Sequence, residues 1–540
     1  MHATEIQWWR KGILYQVYPR SFFDASERGW GDLKGVRQKL PYLASLGVDA
    51  VWISPIFKSP MKDFGYDVED HRMIDPMFGT EADFDGLIAD AKQLNLKIMV
   101  DLVLSHVADV HPWFQDATRS RESEYSNCFV WAEPRADGGP PNNWLSIFGG
   151  SAWSWSPERH QYYLHNFLKS QPDLNFHEPR VRAEALSIAR FWLERGVSGF
   201  RLDTVNFYFH DEQLRDNPPS ETVGNAVVPD TNPYSKQDHI YDKNRPEVRT
   251  FLSELGALTE QYSGTVTLGE VGAIEKRSWP LIQEYTQPKR LSLCYSFDLL
   301  SEIFNADRLR SVINRSIQEA PDTWPCWAFS NHDVGRSASR LAPDGVPTEP
   351  IARLAMSLLL SLRGTPCVYQ GEELGLEEAH IPYNQLQDPY GIEFWPDYVG
   401  RDGCRTPMPW DGSEVSAGFT SHPKPWLPIP AEHRARAVNI QDDFPNSMLN
   451  YFRRLVGMRK AEECLHMGDF TMLEGAPDIL AFVRSFEAKS IQCHYNLSSD
   501  PAVLSSPPLQ ESQIFDGTHR TWRDAPTLIT LGAWEWVWLR

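Results

Sequence analysis

Short runs of β-branched and aromatic residues recur eight times along the chain, and each run ends in polar residues. They cover residues 12–19, 48–55, 96–103, 197–205, 264–271, 291–298, 324–332 and 365–373. Runs of this length and composition predict β-strands. Helical patterns lie between several of them, and strands that alternate with helices indicate an α/β protein. Eight such strands predict a (β/α)8 TIM barrel.

Three of the intervening stretches show clear helical signals. Residues 33–43 carry leucine and valine at helical spacing, although Pro41 predicts a kink or an early end. Thr80 and Asp83 match a capping box ahead of an apolar helical face. The apolar pattern over 186–193 ends at Gly196, which is typical of a helix C-terminus.

Long connections and a change of pattern indicate additional domains. We expect the barrel to comprise residues 1–104 and 178–460, with a small inserted domain at 105–177 after the third strand, because a plain loop of that length is uncommon. Residues 461–540 alternate like an antiparallel sheet and predict a C-terminal β-sandwich. The polar, proline-punctuated segment 207–245 follows the fourth strand.

The composition limits the classes of molecule that we expect this protein to bind. The 540 residues carry a net charge of −20, which argues against nucleic acid and anionic membranes and is compatible with a neutral substrate. The 20 Trp and 19 Tyr suit stacking on flat ligands such as sugar rings. Seven scattered cysteines lack a CxxC pair, no run of about 18 apolar residues exists, and the opening residues lack a signal-peptide core. We therefore expect a reduced, cytoplasmic protein without a membrane span.

Acidic and basic residues collect at the ends of the predicted strands, where TIM barrels place their chemistry. They are Asp63 and Tyr66 after the second strand, Asp101 and His106 on and after the third, Arg201 and Asp203 on the fourth, Glu270 on the fifth, and His332 with Asp333 after the seventh. A single Asp there is commonly a helix cap, and a single His is commonly structural. Several converging carboxylates need a use, because like charges are costly to bury together. Their spacing alone does not separate a metal site from acid–base chemistry.

Two of these carboxylates suit different chemical roles. Arg201 and Asp203 are two apart in a strand and point the same way, so we expect the guanidinium to keep Asp203 ionised. Glu270 lies on an otherwise apolar strand, where desolvation favours the protonated form. A carboxylate nucleophile and a carboxylic acid of raised pKa are what glycoside hydrolysis requires.

Several motifs carry a family resemblance. The segments DLVLSH (101–106), GFRLDTVN (199–206), TLGEV (267–271) and FSNHD (329–333) resemble the four signature regions of the α-amylase superfamily, glycoside hydrolase family 13. The segments QPDLN (171–175), GRDGCRTPMPW (400–410) and WWRKGILYQVYPRSF (8–22) are similar to its oligo-1,6-glucosidase and α-glucosidase branch.

The resemblance implies roles for individual residues. Asp203 would be the nucleophile, Glu270 the general acid/base and Asp333 the residue that holds and distorts the sugar. The expected substrate-binding residues are Asp63, Tyr66, His106, Phe148, Phe167, Arg201, Thr204, His332 and Arg401. The family implies a retaining mechanism through a covalent glucosyl-enzyme, for which two carboxyl groups roughly 5–5.5 Å apart are needed.

The resemblance also implies a substrate class. Thr204, where α-1,6-cleaving relatives tend to carry Val, favours terminal α-1,4 linkages of the maltose type. Segment 207–245 could block the side of the site that holds the leaving group (the aglycone). We therefore expect short neutral sugars as substrates rather than starch. The function would be that of an exo-acting α-glucosidase with transglucosylation activity, as a monomer or homodimer. Alternatives are a transglucosylase or sucrose isomerase-type enzyme, an α-1,6-preferring glucosidase, and, more remotely, a non-catalytic sugar-binding relative.

One segment departs from the family pattern. Relatives carry a cation-binding DSNGDGxGD after the first strand, whereas this chain reads DASERGWGD (24–32). Ser26 and Arg28 replace an amide and a carboxylate, and a guanidinium cannot coordinate a cation. We therefore predict no metal and no cofactor, with Arg28 paired to Asp24 or Asp32.

Overall fold

Eight parallel strands form one sheet in the computed structural model, which describes residues 7–220, 228, 230–273, 275–504, 514–518 and 529–540. The strands are β1 (Leu14–Val17), β2 (Ala50–Ile53), β3 (Lys97–Leu102), β4 (Gly199–Leu202), β5 (Val266–Val271), β6 (Leu293–Ser296), β7 (Cys326–Trp327) and β8 (Thr365–Tyr369). Their order in the sheet is β6-β5-β4-β3-β2-β1-β8-β7. The edge strands β6 and β7 lie side by side and close the sheet. The predicted (β/α)8 TIM barrel is confirmed.

Helices cover the outside of this sheet. The longer ones are Leu33–Gln38, Leu40–Leu46, Glu81–Gln93, Pro179–Glu194, Val248–Thr259, Glu275–Tyr285, Ala306–Glu319, Thr348–Ser361 and Met448–Ala461. Short helices are Trp8–Lys11, Ser337–Arg340, Pro389–Glu393, Ala431–Ala435, Val438–Asp442 and Glu463–His466. Because helices cover the strands on one side and packed side chains fill the barrel, every residue of β1, β2 and β4–β8 is buried. No helix in the described part of the chain is long and apolar enough to cross a membrane.

The local helix signals agree with the structure. Thr80 and Asp83 form both halves of the capping box. The pattern over 33–43 breaks at Lys39 into two helices, and Pro41 lies in the first turn of the second helix, where its missing N–H is not needed. Gly196 follows its helix with a φ of 99°, a left-handed conformation that glycine adopts without steric cost.

A small substructure interrupts the barrel between β3 and the helix Pro179–Glu194. It contains the helix Pro112–Arg119 and an antiparallel sheet of Trp131–Ala132, Gln161–Leu164 and Trp153–Ser156, in that order. A second short ladder, Phe57–Lys58 with Asp70–Ile74, follows β2. These segments stand above the carboxyl ends of the strands, because each leaves β2 or β3 at that end.

An antiparallel sheet follows the barrel at the C-terminus. Its strands, in spatial order, are Asp469–Met472, Ile479–Phe486, Lys489–Asn496, Trp536–Leu539 and Ile514–Gly517. A two-stranded ladder of Ala502–Val503 and Thr530–Leu531 accompanies it. Buried residues of the ladder region, including Leu504 and Leu531, pack against Ile479 and Val537 of the larger sheet.

Candidate active site

The register of the barrel strands brings the predicted polar residues to one rim. Asp101 of β3 lies opposite Arg201 of β4, and Glu270 of β5 lies opposite Tyr295 of β6. Asp203 comes directly after β4, and its backbone N–H donates to the carbonyl of Leu102. Because parallel strands present their carboxyl ends at the same edge, these side chains converge.

Arg201 lies at the centre of the converging side chains and is fully buried. Its Nη1 is 2.6 Å from Asp203 Oδ1 and 2.9 Å from Asp101 Oδ1, and its Nη2 is 2.7 Å from Glu270 Oε1. Nη2 also donates to the hydroxyl of Tyr295 at 3.1 Å. The predicted contact between Arg201 and Asp203 is present, but the guanidinium serves three carboxyl groups and not one.

The three carboxyl groups around Arg201 have raised pKa values. Burial raises the pKa of Asp203 to about 7 and the pKa of Glu270 to about 7, and in both cases the positive charge of Arg201 opposes the shift. Burial likewise raises the pKa of Asp101 to about 6. The expectation for Glu270 is confirmed. Arg201 favours the ionised form of Asp203, as expected, but burial and the nearby Asp101 oppose it, so the pKa of Asp203 stays above its usual value.

Asp333 has the opposite environment. Arg401 Nη1 and Arg405 Nη2 lie 3.1 and 3.0 Å from its Oδ1, and His332 Nε2 lies 3.3 Å from its Oδ2. Burial would raise the pKa of Asp333, but His332 and the two arginines hold it well below the usual value. Asp333 is therefore a carboxylate at neutral pH and can accept hydrogen bonds from sugar hydroxyls.

Arg401 also joins two segments of the cavity wall. Its Nη2 lies 2.9 Å from Asp63 Oδ1 and 2.7 Å from Asp388 Oδ1. The guanidinium thus ties the segment after β2 to the segment 388–401, and it lies 5.3 Å from the ring centre of Phe148.

Thr204 contacts both of the predicted catalytic carboxyl groups. Its backbone N–H donates to Glu270 Oε2 at 3.0 Å and its hydroxyl donates to Asp203 Oδ2 at 3.1 Å. The residue has φ 39° and ψ 50°, a left-handed conformation that is costly for a β-branched side chain. This conformation turns the chain directly after β4, so that the amide faces Glu270.

Close polar contacts extend from Thr204 to His106. His106 Nε2 lies 2.8 Å from the carbonyl of Tyr66, which can only accept, so this nitrogen carries the proton. The unprotonated Nδ1 then accepts from Ser105 Oγ at 2.9 Å, and Ser105 Oγ in turn lies 3.0 Å from the Thr204 hydroxyl. Burial lowers the pKa of His106 to about 4, so it is neutral at pH 7.

The cavity wall contains every predicted site residue except Arg201, which is fully buried and contacts Asp203 and Glu270. The predicted residues on its wall are Asp63, Tyr66, His106, Phe148, Phe167, Asp203, Thr204, Glu270, His332, Asp333 and Arg401. Nine further wall residues come from segment 207–245: Phe207, Val228, Tyr234, Ser235, Gln237, Asp238, His239, Lys243 and Asn244. The described part of this segment therefore contributes to the cavity wall.

Several residues of the site were not assigned from the sequence. Gln171 donates to Asp63 Oδ2 at 3.1 Å, and Tyr295 donates to Glu270 Oε1 at 2.9 Å. Arg405 pairs with Asp333, and Asp388 pairs with Arg401. Gln171 and Arg405 stand inside the quoted motifs QPDLN and GRDGCRTPMPW, and Tyr295 lies near the end of a predicted strand. The motifs and the strand pattern could therefore have identified Gln171, Arg405 and Tyr295 as site residues, whereas nothing in the sequence marks Asp388.

The loop after β1 has the altered composition noted above. Arg28 Nη2 lies 3.7 Å from Asp32 Oδ2 and donates to the carbonyl of Met77 at 2.7 Å, so the predicted pairing with Asp32 is confirmed. Asp24 instead accepts from the backbone of Ser26 and Gly29 and from the Thr420 hydroxyl. Among the described residues, no group of three His, Cys, Asp or Glu side chains could hold a metal ion.

Comparisons with known proteins agree on one family. The model described as "Alpha amylase, catalytic domain" matches residues 16–468. A probable alpha-glucosidase of Rhizobium meliloti (strain 1021) is 50% identical over 504 residues, which are 93% of this chain and 91% of that protein. An oligo-1,6-glucosidase of Heyndrickxia coagulans is 33% identical, with 93% and 94% of the two chains covered. The crystal structure of the alpha-glucosyl transfer enzyme XgtA superposes with a TM-score of 0.93 at 46% identity and covers 99% of each chain.

Proposed function

The chain belongs to the α-amylase family, glycoside hydrolase family 13, and is a glycoside hydrolase; from this premise we propose that it is a retaining, exo-acting α-glucosidase. The substrates would be terminal α-1,4-linked glucosides of the maltose type and short oligosaccharides. The observation that carries the proposal is the contact of Thr204 with both Asp203 and Glu270, which holds the two carboxyl groups close together. Retaining enzymes need such close carboxyl groups, whereas inverting enzymes leave room between them for water.

In the first step, an Asp203 oxygen forms a bond to the anomeric carbon while the glycosidic C–O bond breaks. Glu270 gives its proton to the departing oxygen, and its raised pKa suits this role. In the second step, Glu270 takes a proton from water, the water oxygen bonds to the anomeric carbon, and the ester bond to Asp203 breaks. Arg201 and Tyr295 hold the two carboxyl groups in place through both steps.

Exo action and a short substrate are supported by the shape of the site. Arg401 pairs with both Asp63 and Asp333 in the cavity wall, and we propose that these ion pairs end the cavity behind the terminal glucose. Described residues of segment 207–245 also line the cavity, and we propose that they limit the extension of a polymer. Small neutral sugars such as maltose are therefore the proposed substrates.

Glucosyl transfer is the second candidate, because XgtA, named for alpha-glucosyl transfer, covers 99% of this chain at 46% identity. Transfer and hydrolysis use the same glucosyl-enzyme and differ in whether a sugar hydroxyl or water attacks it. We propose that transfer accompanies hydrolysis at high substrate concentration.

The test is to give the purified protein maltose, isomaltose and sucrose in parallel and to resolve the products by chromatography. We expect maltose to be hydrolysed faster than isomaltose, with trisaccharides at high substrate. The Asp203→Asn variant should lose activity by at least about a thousandfold. Faster cleavage of isomaltose would contradict the linkage assignment, conversion of sucrose to an isomer would favour a sucrose isomerase, and no reaction with any sugar would favour a binding protein.

A further inference from the structure

Lys243 is a buried cation of the cavity wall that the proposed mechanism does not use. The residue is 6% exposed and lines the same cavity as Asp203 and Glu270. Its Nζ donates to the carbonyl of Gly272 at 2.9 Å and lies 4.3 Å from the ring centre of Phe207. A lysine that is buried in this way requires an explanation, because its charge loses hydration.

The charges around Lys243 do not neutralise it directly. Among the residues that the structure describes, no carboxylate forms an ion pair with its Nζ. The charge of Asp242 favours the ammonium form of Lys243, but Asp242 is itself bound to His239 at 2.6 Å. Asp238, also on the cavity wall, is paired with Arg277 at 2.7 Å. Burial lowers the pKa of Lys243 to about 8, with Asp242 opposing, so the side chain remains charged at pH 7.

Lys243 contacts the backbone just after Glu270, the proposed proton donor to the leaving group. Gly272 comes two residues after Glu270, the group that protonates the departing oxygen. Asn206 donates to the Gly272 carbonyl at 3.2 Å and accepts from the Gly272 N–H at 3.2 Å, so this backbone is held independently of the lysine. Lys243 and Gly272 both line the cavity that contains Glu270, so the ammonium lies beside the backbone that follows the proposed acid.

We propose that Lys243 is a specificity-determining residue that donates hydrogen bonds to hydroxyl groups of the leaving group. An ammonium has three N–H donors, and the described residues use one of them, at Gly272. The remaining donors favour a sugar or polyol aglycone over an apolar one. The same contacts bind a sugar acceptor during transfer, because transfer reverses the departure of the leaving group. This inference rests on the proposed function.

The test compares two substrates that form the same glucosyl-enzyme, maltose and 4-nitrophenyl α-glucoside. In Lys243→Met, we expect kcat/KM on maltose to fall by about 10- to 100-fold, the loss typical of a charged hydrogen bond, and kcat/KM on the aryl glucoside to change by less than about threefold. Lys236→Met removes an exposed charge from the same segment and should leave both values unchanged.

A second variant separates recognition from support of the backbone. Lys243→Gln keeps a donor for the Gly272 carbonyl, and thermal unfolding shows whether each variant is folded. We expect Lys243→Gln to lose discrimination as Lys243→Met does. Equal losses on the two substrates in either folded variant would overturn the inference. Failure of the unaltered enzyme to release glucose from either substrate would instead overturn the proposed function and this inference with it.

Discussion

Arg201 shows how one side chain sets the electrostatics of the whole cavity. Three carboxyl groups reach its guanidinium, and the hydroxyl of Tyr295 accepts from it as well. A planar group with several fixed donors can hold such an arrangement, whereas a lysine ammonium has neither the fork geometry nor the reach. The protonation of Asp203 and Glu270 is therefore a property of the cluster, and single substitutions around it should move the pH profile.

We predict that kcat/KM on maltose follows a bell-shaped dependence on pH with a maximum near pH 7. Glu270 must be protonated to act as an acid, so activity falls as the pH rises through its pKa of about 7. Asp203 must be ionised to attack, so activity also falls as the pH drops below its pKa of about 7. Initial rates at low substrate from pH 4 to pH 10 measure the profile. A profile that stays flat between pH 5 and pH 9 would contradict both assignments.

Tyr295→Phe should move the alkaline limb of this profile to higher pH. The Tyr295 hydroxyl donates to Glu270 Oε1 at 2.9 Å and stabilises the carboxylate, so its removal raises the pKa of Glu270. A shift of about 0.5–1 pH unit corresponds to one hydrogen bond of ordinary strength. Tyr383→Phe, at an exposed tyrosine, is the control. An unchanged limb in Tyr295→Phe, or a shift to lower pH, would show that the hydroxyl does not stabilise the carboxylate.

The loop between β1 and the helix Leu33–Gln38 is held in place by its own side chains. Asp24 binds two backbone N–H groups of the loop, and Asp32 caps the helix through the N–H of Gly35. Arg28 donates to the carbonyls of Pro76 and Met77, which joins this loop to the segment before the helix Glu81–Gln93. We propose that the guanidinium takes the place of the cation that relatives of this family bind here.

Arg28→Ala should therefore destabilise the protein by about 1–2 kcal/mol, because two carbonyl hydrogen bonds are lost at a partly exposed site. A chelator should leave the thermal unfolding midpoint of the unaltered protein in place, and added Ca²⁺ or Mg²⁺ should not raise the midpoint of the variant. Lys34→Ala, at a mostly exposed lysine nearby, provides the control. A midpoint that falls with chelator and returns with Ca²⁺ would contradict the proposal.

For the whole molecule, the C-terminal sheet depends on the barrel for part of its hydrogen bonding. Arg484 is fully buried, and its guanidinium donates to the carbonyls of Ser361, Leu465 and Gly468. Tyr495 of the same sheet shares a hydrogen bond of 2.6 Å with the Ser361 hydroxyl. Ser361 ends the barrel helix Thr348–Ser361, so the sheet and the barrel stabilise each other across this contact.

Arg484→Met should lower the free energy of unfolding by about 2–4 kcal/mol, since three buried carbonyl groups lose their donor while the cost of burying the charge is removed. Denaturant unfolding followed by tryptophan fluorescence measures the change. Lys489→Met, at an exposed lysine of the same sheet, should shift the midpoint little. Activity at 25 °C should persist in the folded fraction of Arg484→Met. Equal midpoints for the two variants would show that the sheet does not depend on this contact.

The sequence by itself determined the order and type of the elements and the residues at the strand ends. Eight apolar runs with polar ends predicted the barrel, because strand composition and the alternation with helices are local properties. Asp203, Glu270 and Asp333 followed, since parallel strands deliver their carboxyl ends to one rim. The capping box at Thr80 was equally local.

Only the tertiary structure decided which groups share charge and which residues form the cavity wall. Arg201 serves three carboxyl groups because the register places Asp101 opposite it and brings Glu270 to the same face. Asp388 and Lys243 come from segments far from the motifs, and no local pattern marks them. The physical reason is that the pKa of a buried group depends on the sum of its desolvation and all nearby charges, and both depend on distances that chain spacing does not contain.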